Sequence, residues 1–283
     1  MPASSPTFAR TVSITKTPTS VRTDVDVAAW QTRVTAAGGM LTAAQVAAYA
    51  EYVKYAKALG WYHKIKRENW FIGENLTTAL VPQKVSIGFN AELNYNFVAG
   101  DFTPTGGLVS NGSTKYLNTG ARFGNLVLAN KNSMLAFWSA TKPTTNTYFM
   151  GSYSTNPFAL WYDTYGTGWW SSYAYDFDND AGAVSYDAAT TASNVLLMGV
   201  YDRVESRHVI RVNADEYQAT NATTGSINKL PMFIFCTNVD GTPTDYMACT
   251  SFGYAIGYGL VYEERVQFYE LVKAMQTALG RTV

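Results

Sequence analysis

From about residue 75 the chain runs as short segments rich in β-branched and aromatic residues, cut about every ten residues by Gly, Pro, Asn or Asp. Ten segments read as strands: 84–89, 115–118, 134–140, 147–153, 158–163, 195–202, 208–213, 216–220, 232–236 and 252–258. Pro104-Thr-Gly-Gly107, Asn111-Gly112, Asp180-Ala-Gly182, Thr224-Gly225 and Asp240-Gly241 supply the turns. No long helical pattern interrupts the series, so parallel strands joined by crossover helices have no room, and no internal repeat is evident. The spacing predicts a mainly β protein, a two-layer antiparallel β-sandwich or jelly roll.

Helices are expected on both flanks of the strands. Residues 260–279 carry Phe268, Val272, Met275 and Leu279 at three- and four-residue steps, with Gly280 placed to stop a closing helix that packs on the sandwich. Upstream, Val27, Trp30 and Val34 mark a helix over 24–37, with Asp24 or Asp26 at its positive end and Gly38-Gly39 after it. Thr42-Ala-Ala-Gln45 fits a capping box for a second helix, which shows Val46, Tyr49, Val53, Ala56 and Leu59 on one face and ends at Gly60. Trp61, Ile65, Trp70 and Phe71 follow in a linker-like stretch that reads as a packing seam. The division is then an extended N-terminal arm over 1–23, a helical hairpin and linker over 24–74, and a sandwich with its closing helix over 75–283.

Charge excludes some partners. With 21 Lys and Arg against 21 Asp and Glu, the chain has no field to steer it onto nucleic acid or an anionic membrane. The first residues lack a basic stretch followed by an apolar one, and no run of eighteen apolar residues occurs, so neither a signal peptide nor membrane insertion is expected. Cys236 and Cys249 read as two buried free thiols, although a hairpin at Asp240-Gly241 would bring them across from one another and leaves a bridge open.

Catalytic residues are not evident, and no enzyme activity is expected. His63 and His208 stand in no metal-ligand spacing and beside no nucleophile motif. A glycosidase needs an acid and a second carboxylate flanking one bond, whereas Asp215-Glu216 and Glu263-Glu264 are adjacent pairs that point apart. Gly253 to Gly259 lacks the Lys and helix start of a phosphate cradle, and its small residues suit close strand packing.

The richest local signal lies between 158 and 187, where Trp161, Tyr162, Tyr165, Trp169, Trp170, Tyr173 and Tyr175 precede Asp176-Phe-Asp178-Asn-Asp180. Rings that stack on sugar C–H faces beside hydrogen-bonding carboxylates make Trp169, Trp170, Tyr173, Asp176 and Asp178 the candidate ligand-binding residues. Trp169 and Trp170 are consecutive, so on extended backbone they face opposite ways and one is expected at the surface. Asp176, Asp178 and Asp180 partly match a Ca2+ loop ending at Asp187, but Ala181 stands where such a loop needs Gly and its last ligand is Asp, not Glu. An acidic turn is the plainer reading, and no other cofactor is expected.

Several stretches resemble a known family. Phe252-Gly-Tyr-Ala-Ile-Gly-Tyr-Gly-Leu260, Glu263-Glu-Arg-Val-Gln-Phe-Tyr269 and Thr277-Ala-Leu-Gly-Arg281 look like the C-terminus of concanavalin-A-like (laminin-G-like) lectin jelly rolls in bacteriophage tail and virion proteins. Gly60-Trp-Tyr-His-Lys-Ile-Lys66, Phe71-Ile-Gly73 and Asn111-Gly-Ser-Thr-Lys-Tyr-Leu-Asn-Thr119 resemble the lead-in and first strand of the same proteins. The resemblance implies a non-enzymatic virion structural protein: a tail or head fibre, a decoration protein or a receptor-binding protein. It implies host-surface glycan or receptor attachment, an arm that meets other virion proteins, and a homo-oligomer such as a trimer. A soluble carbohydrate-binding lectin and a glycoside hydrolase are the alternatives.

Overall fold

The computed structural model describes residues 23–122, 132–143, 147–154, 157–163, 169–174, 183–187, 193–202, 207–220 and 229–283. In chain order the elements begin α1 (Val25–Ala36), α2 (Ala43–Ala58), β1 (Ile65–Asn69), α3 (Leu76–Ala79), β2 (Lys84–Val85), β3 (Leu93–Tyr95), β4 (Phe102–Thr103), β5 (Gly107–Val109) and β6 (Tyr116–Arg122). Then come β7 (Ser133–Ser139), β8 (Thr147–Tyr153), β9 (Pro157–Asp163), β10 (Trp169–Ala174), β11 (Ala183–Asp187), β12 (Val195–Asp202), β13 (Arg207–Val212) and β14 (Asp215–Thr220). The chain closes with β15 (Pro231–Ile234), β16 (Thr237–Val239), β17 (Thr242–Thr244), β18 (Thr250–Gly257) and α4 (Tyr262–Ala278).

The strands form two sheets. Sheet I runs β14-β13-β12-β7-β18-β1-β2, with β5 on β18 and β4 on β5; sheet II runs β11-β10-β9-β8-β15-β6-β3, with β16 on β8 and β17 on β16. Among the described residues every pairing is antiparallel except β16 on β8. The architecture is the expected one: a mainly β antiparallel sandwich with an N-terminal helical hairpin and a C-terminal helix packed on it.

Two apolar layers explain why the central strands of sheet I are apolar at nearly every position. Leu135 and Phe137 of β7, Leu197 of β12 and Tyr254 and Ile256 of β18 face sheet II, where they meet Leu117, Phe149, Met150, Leu160, Met232 and Ile234. Their neighbours Met134, Ala136, Trp138, Leu196, Met198 and Val200 face the other way, onto Trp30, Tyr49, Val53, Phe268 and Val272 of the helices. A strand covered on both faces loses the polar alternation of a half-exposed one. Gly253 lets β1 approach β18: its φ is +136°, and a Cβ there would stand 2.3 Å from the Asn69 carbonyl oxygen and 2.4 Å from the Trp70 Cα.

The helices match their sequence signals closely. Asp24 caps α1, Thr42 and Gln45 form the capping box of α2, and Phe268, Val272 and Met275 of α4 are buried. Leu59, expected on the buried face of α2, is instead exposed near the helix end. The stretch read as a linker is β1, inside sheet I, and Trp61, Ile65 and Trp70 do pack between that sheet and the helices. Phe71, with φ +45°, drops through to the inter-sheet layer.

Arg281 locks the C-terminal end. Its buried guanidinium donates to the carbonyls of Trp70 (2.8 Å), Phe71 (2.7 Å), Pro104 (3.0 Å) and Phe252 (3.3 Å), and to Gln276 Oε1 (2.7 Å). Arg265 of α4 grips Glu216 of β14 with two bonds of 2.5 and 2.9 Å, and Glu264 caps α4 while pairing with Lys64 at 2.6 Å. One acid of each adjacent pair in the sequence, Glu216 and Glu264, is thus held by a basic partner. Cys236 and Cys249 are both buried and unbridged, and burial pushes the Cys249 thiol up to about 12.

Candidate glycan-binding face

The helices cover the outer face of sheet I, and no helix of the described residues packs on the outer face of sheet II. On that open face, cross-strand register sets a row of rings. Tyr95 of β3 pairs with Tyr116 of β6, and Phe233 of the next strand, β15, lies against the same ring. Tyr95 stacks on Tyr116 with centroids 4.2 Å apart and planes 8° apart, Phe233 follows at 5.0 Å, and Tyr246 meets Tyr116 edge-on at 6.1 Å.

A second line crosses this row along the edge of the sheet. Phe89 lies over Gly120, where an added Cβ would come within 2.5 Å of its ring, and Leu93 pairs with Asn118. Phe89, Leu93 and Tyr95 are 43%, 43% and 39% exposed. Together they make an apolar strip about 14 Å long, four residues of β6 at a strand's rise. Half-exposed Asn118 and the Asp101–Lys115 ion pair, 2.5 Å long, place polar groups on the neighbouring segments. Such a strip offers stacking area with hydrogen-bonding groups nearby, the combination that a sugar's C–H faces and hydroxyls require.

The strip is held from inside. Arg67, fully buried on β1, donates to the carbonyls of Ile87 (2.9 Å) and Phe89 (2.8 Å) and to the Tyr254 hydroxyl (2.8 Å). Its remaining nitrogen lies 2.9 Å from the Glu92 carboxylate, which also accepts a hydrogen bond from the Tyr254 hydroxyl. A buried ion pair with these bonds fixes the segment that carries Phe89 and leads into β3.

Of the residues singled out from sequence, Trp169, Trp170 and Tyr173 lie on β10, in sheet II. Trp169 pairs with Asp163 and Asp187, Trp170 with Tyr162 and Tyr186, and Tyr173 with Ala159 and Ala183. The two tryptophans therefore have opposite parity along an extended strand. Asp176, Asp178 and Asp180 lie outside the described residues, so their arrangement with the tryptophans is not part of this geometry. Of the twelve-residue stretch ending at Asp187, Ala183–Asp187 are strand β11 paired to β10, and the rest lies outside the described residues. Among the described residues no group of three or more His, Cys, Asp or Glu could hold a metal.

The buried carboxylates lie apart from this face. Glu68 sits between β1 and the helices, accepting from Tyr49 (2.8 Å), Tyr52 (2.8 Å) and Trp70 Nε1 (3.2 Å), and burial raises its pKa. Glu92 belongs to the Arg67–Tyr254 cluster on the other side of β1. The strand separates the two, so they do not flank a shared cavity. His208 is buried with its ring edge-on to Tyr201 at 5.0 Å, and His63 is exposed.

No protein-family model matches the chain, and no curated protein does. Solved structures match in part. The NanB sialidase of Streptococcus pneumoniae aligns at 16% identity and a TM-score of 0.41, over 51% of this chain and 25% of that one. The CBM40 of the Ruminococcus gnavus IT-sialidase, solved with α2,3-sialyllactose, aligns at 9% identity and TM-score 0.38, over 48% and 80%. The binding domain of botulinum neurotoxin DC, solved with rat synaptotagmin II, aligns at 8% identity and TM-score 0.42, over 59% and 42%. The chain spans about a quarter of the length of the sialidase. At these identities and TM-scores no role follows from the likeness; this chain's own strand pairing makes it an antiparallel β-sandwich.

Proposed function

We propose that the chain is a non-enzymatic, glycan-binding structural component of a bacteriophage virion, attaching the particle to its host through the open face of sheet II. The observation that carries the binding half is the exposed ring of Tyr95 stacked on Tyr116 and continued by Phe233. A ring held flat at a sheet edge, with one side covered by its neighbour and the other in water, is an apolar surface with no partner among the described residues. The virion half rests on the resemblance of the segments 60–66, 111–119 and 252–281 to phage jelly rolls. In this reading the arm over 1–23 docks on other virion proteins, the chain assembles as a homo-oligomer such as a trimer, and the acidic residues Asp176, Asp178 and Asp180 contribute hydroxyl acceptors or a Ca2+ site.

The test is competition. The purified chain, added in excess, should block adsorption of the phage to host cells, and a Leu93→Ala, Tyr95→Ala double variant that melts like the parent should not. A parent chain that binds no host glycan and blocks nothing would remove the attachment reading. A monomeric mass together with absence from particles would leave a free lectin as the better description. Binding that disappears with a chelator would assign the acidic residues to Ca2+, and insensitivity would assign them to direct contact.

A further inference from the structure

The helix-covered side of the molecule holds a cavity apart from the tyrosine strip. Between α1, α2 and β2 lies a cavity of about 260 Å3 lined by Asp26, Lys57, Gly60, Tyr62, His63 and Lys84. Its charges are unevenly matched. Lys57 is paired at 2.7 Å with Asp24 and at 2.5 Å with Asp26, so the acid in the lining already has a cation. Lys84 differs: it is 9% exposed, and no carboxylate of the described residues stands within 4.0 Å of its ammonium.

The cross-strand neighbour of Lys84 is Glu68, but that carboxylate turns to Tyr49, Tyr52 and Trp70. The Lys84 ammonium instead donates to the Tyr62 carbonyl at 2.6 Å and lies 3.5 Å from the centre of the Tyr62 ring. One of its three N–H groups is thereby used. A buried ammonium held by a carbonyl and a ring face, beside open space, is set up to receive an acceptor with negative charge.

We propose that this cavity binds a compact oxyanion, a carboxylate or phosphate group, through the Lys84 ammonium, with His63 at its mouth. The volume falls below the roughly 300–1,000 Å3 of sites for drug-sized ligands, so an oligosaccharide does not fit and a small acid does. The pH range follows from the groups around Lys84: Asp26 on α1, Lys57 on α2, Tyr62 and His63 before β1, Lys66 and Glu68 on β1. Burial pulls Lys84 down to about 8, with Lys66 and Lys57 acting in the same direction and Glu68 and Asp26 opposing it. The cation is present at neutral pH and is lost as pH rises through about 8, and anion binding is lost with it. The site lies across sheet I from the tyrosine strip, so failure of the glycan reading leaves it standing.

Titration calorimetry or amide chemical shifts with inorganic phosphate alone and with acetate alone test it on the full chain. The parent should bind one or both near pH 7, and Lys84→Met should weaken that binding by about tenfold or more, a change of about 1.4 kcal/mol. Acetate keeps one charge across the alkaline range, so its binding to the parent should fall between about pH 7 and about pH 9.5. If Lys84→Met fails to fold, this pH arm decides alone. No binding of either anion by the parent, equal binding by the variant, or acetate binding that is flat with pH would each overturn the proposal.

Discussion

Sheets I and II contribute the same number of strands to the described residues, nine each, but treat their outer faces differently. Sheet I is roofed by α1, α2 and α4, and three charged residues under or beside that roof are tied to named partners: Glu68 to two tyrosines and a tryptophan, Arg265 to Glu216, Arg281 to backbone carbonyls. Sheet II leaves Phe89, Leu93 and Tyr95 at the surface. Breaking any of these buried charged contacts leaves a group unsatisfied, so they help fix the helices in place. The open face carries apolar area that folding does not use, and that area is available to a ligand.

The contrast breaks most severely if the roof is removed. Val272→Asp places an unpaired carboxylate between α4 and sheet I and should cost about 4 kcal/mol or more, enough to unfold a marginal domain. Phe268→Ala should cost about 3–5 kcal/mol, because its ring is buried against Trp61 at 5.7 Å and Trp70 at 6.0 Å. Denaturant unfolding followed by far-UV signal measures both, and a change near zero would show that sheets I and II stand without α4.

Arg281→Met tests the clamp at the end of that helix. It keeps the bulk but strips donors from four backbone carbonyls and Gln276, and should cost about 2–3 kcal/mol in the same experiment. Alkaline pH tests the buried tyrosine hydroxyls on both sides of sheet I. Burial holds Tyr49, Tyr52, Tyr62 and Tyr254 well above the usual tyrosine value of 10, so the folded chain keeps protons that the unfolded chain releases. Their contribution is complete below about pH 10 and declines as pH rises beyond it, by about 1.4 kcal/mol per pH unit for each group. Tyr62→Phe removes one such proton and should flatten that slope by one group's share.

What could be read in the sequence follows the same division. The central strands of sheet I and all three long helices announce themselves through apolar period, capping residues and Gly stops. Strand β1 does not: Lys66, Arg67, Glu68 and Asn69 look like surface, and they belong in the sheet because Arg67, Glu68 and Asn69 find buried partners 16 to 187 residues away. The expected strand over 84–89 shortens to Lys84–Val85, since Gly88 turns at φ +83° against the Thr119 carbonyl. The 158–187 stretch was visible by composition, but that β10 and β11 are strands was not. The tyrosine strip escaped notice for another reason. Tyr95 and Tyr116 are ordinary alternating residues until register places them opposite each other, and a three-residue edge strand gives no signal of its register.

The smallest effect on stability should carry the largest on binding. Tyr95→Ala removes a ring already 39% exposed, so the fold should lose about 1 kcal/mol or less, mostly the stack on Tyr116. Its loss from the strip should weaken binding to host glycan or host cells by about fivefold or more, equivalent to about 1 kcal/mol. Trp169→Ala supplies the comparison within sheet II, because β10 lies four strand steps from β6, about 19 Å away. A loss with Tyr95→Ala alone places the contact at the β3 edge, and a loss with both makes the ligand long enough to span the face. A loss with Trp169→Ala alone moves the contact to the β10 end and leaves the tyrosine strip without a role in attachment. If neither variant changes binding while both stay folded, the open face of sheet II is not where glycan is held, and its exposed rings belong instead to an interface with another protein.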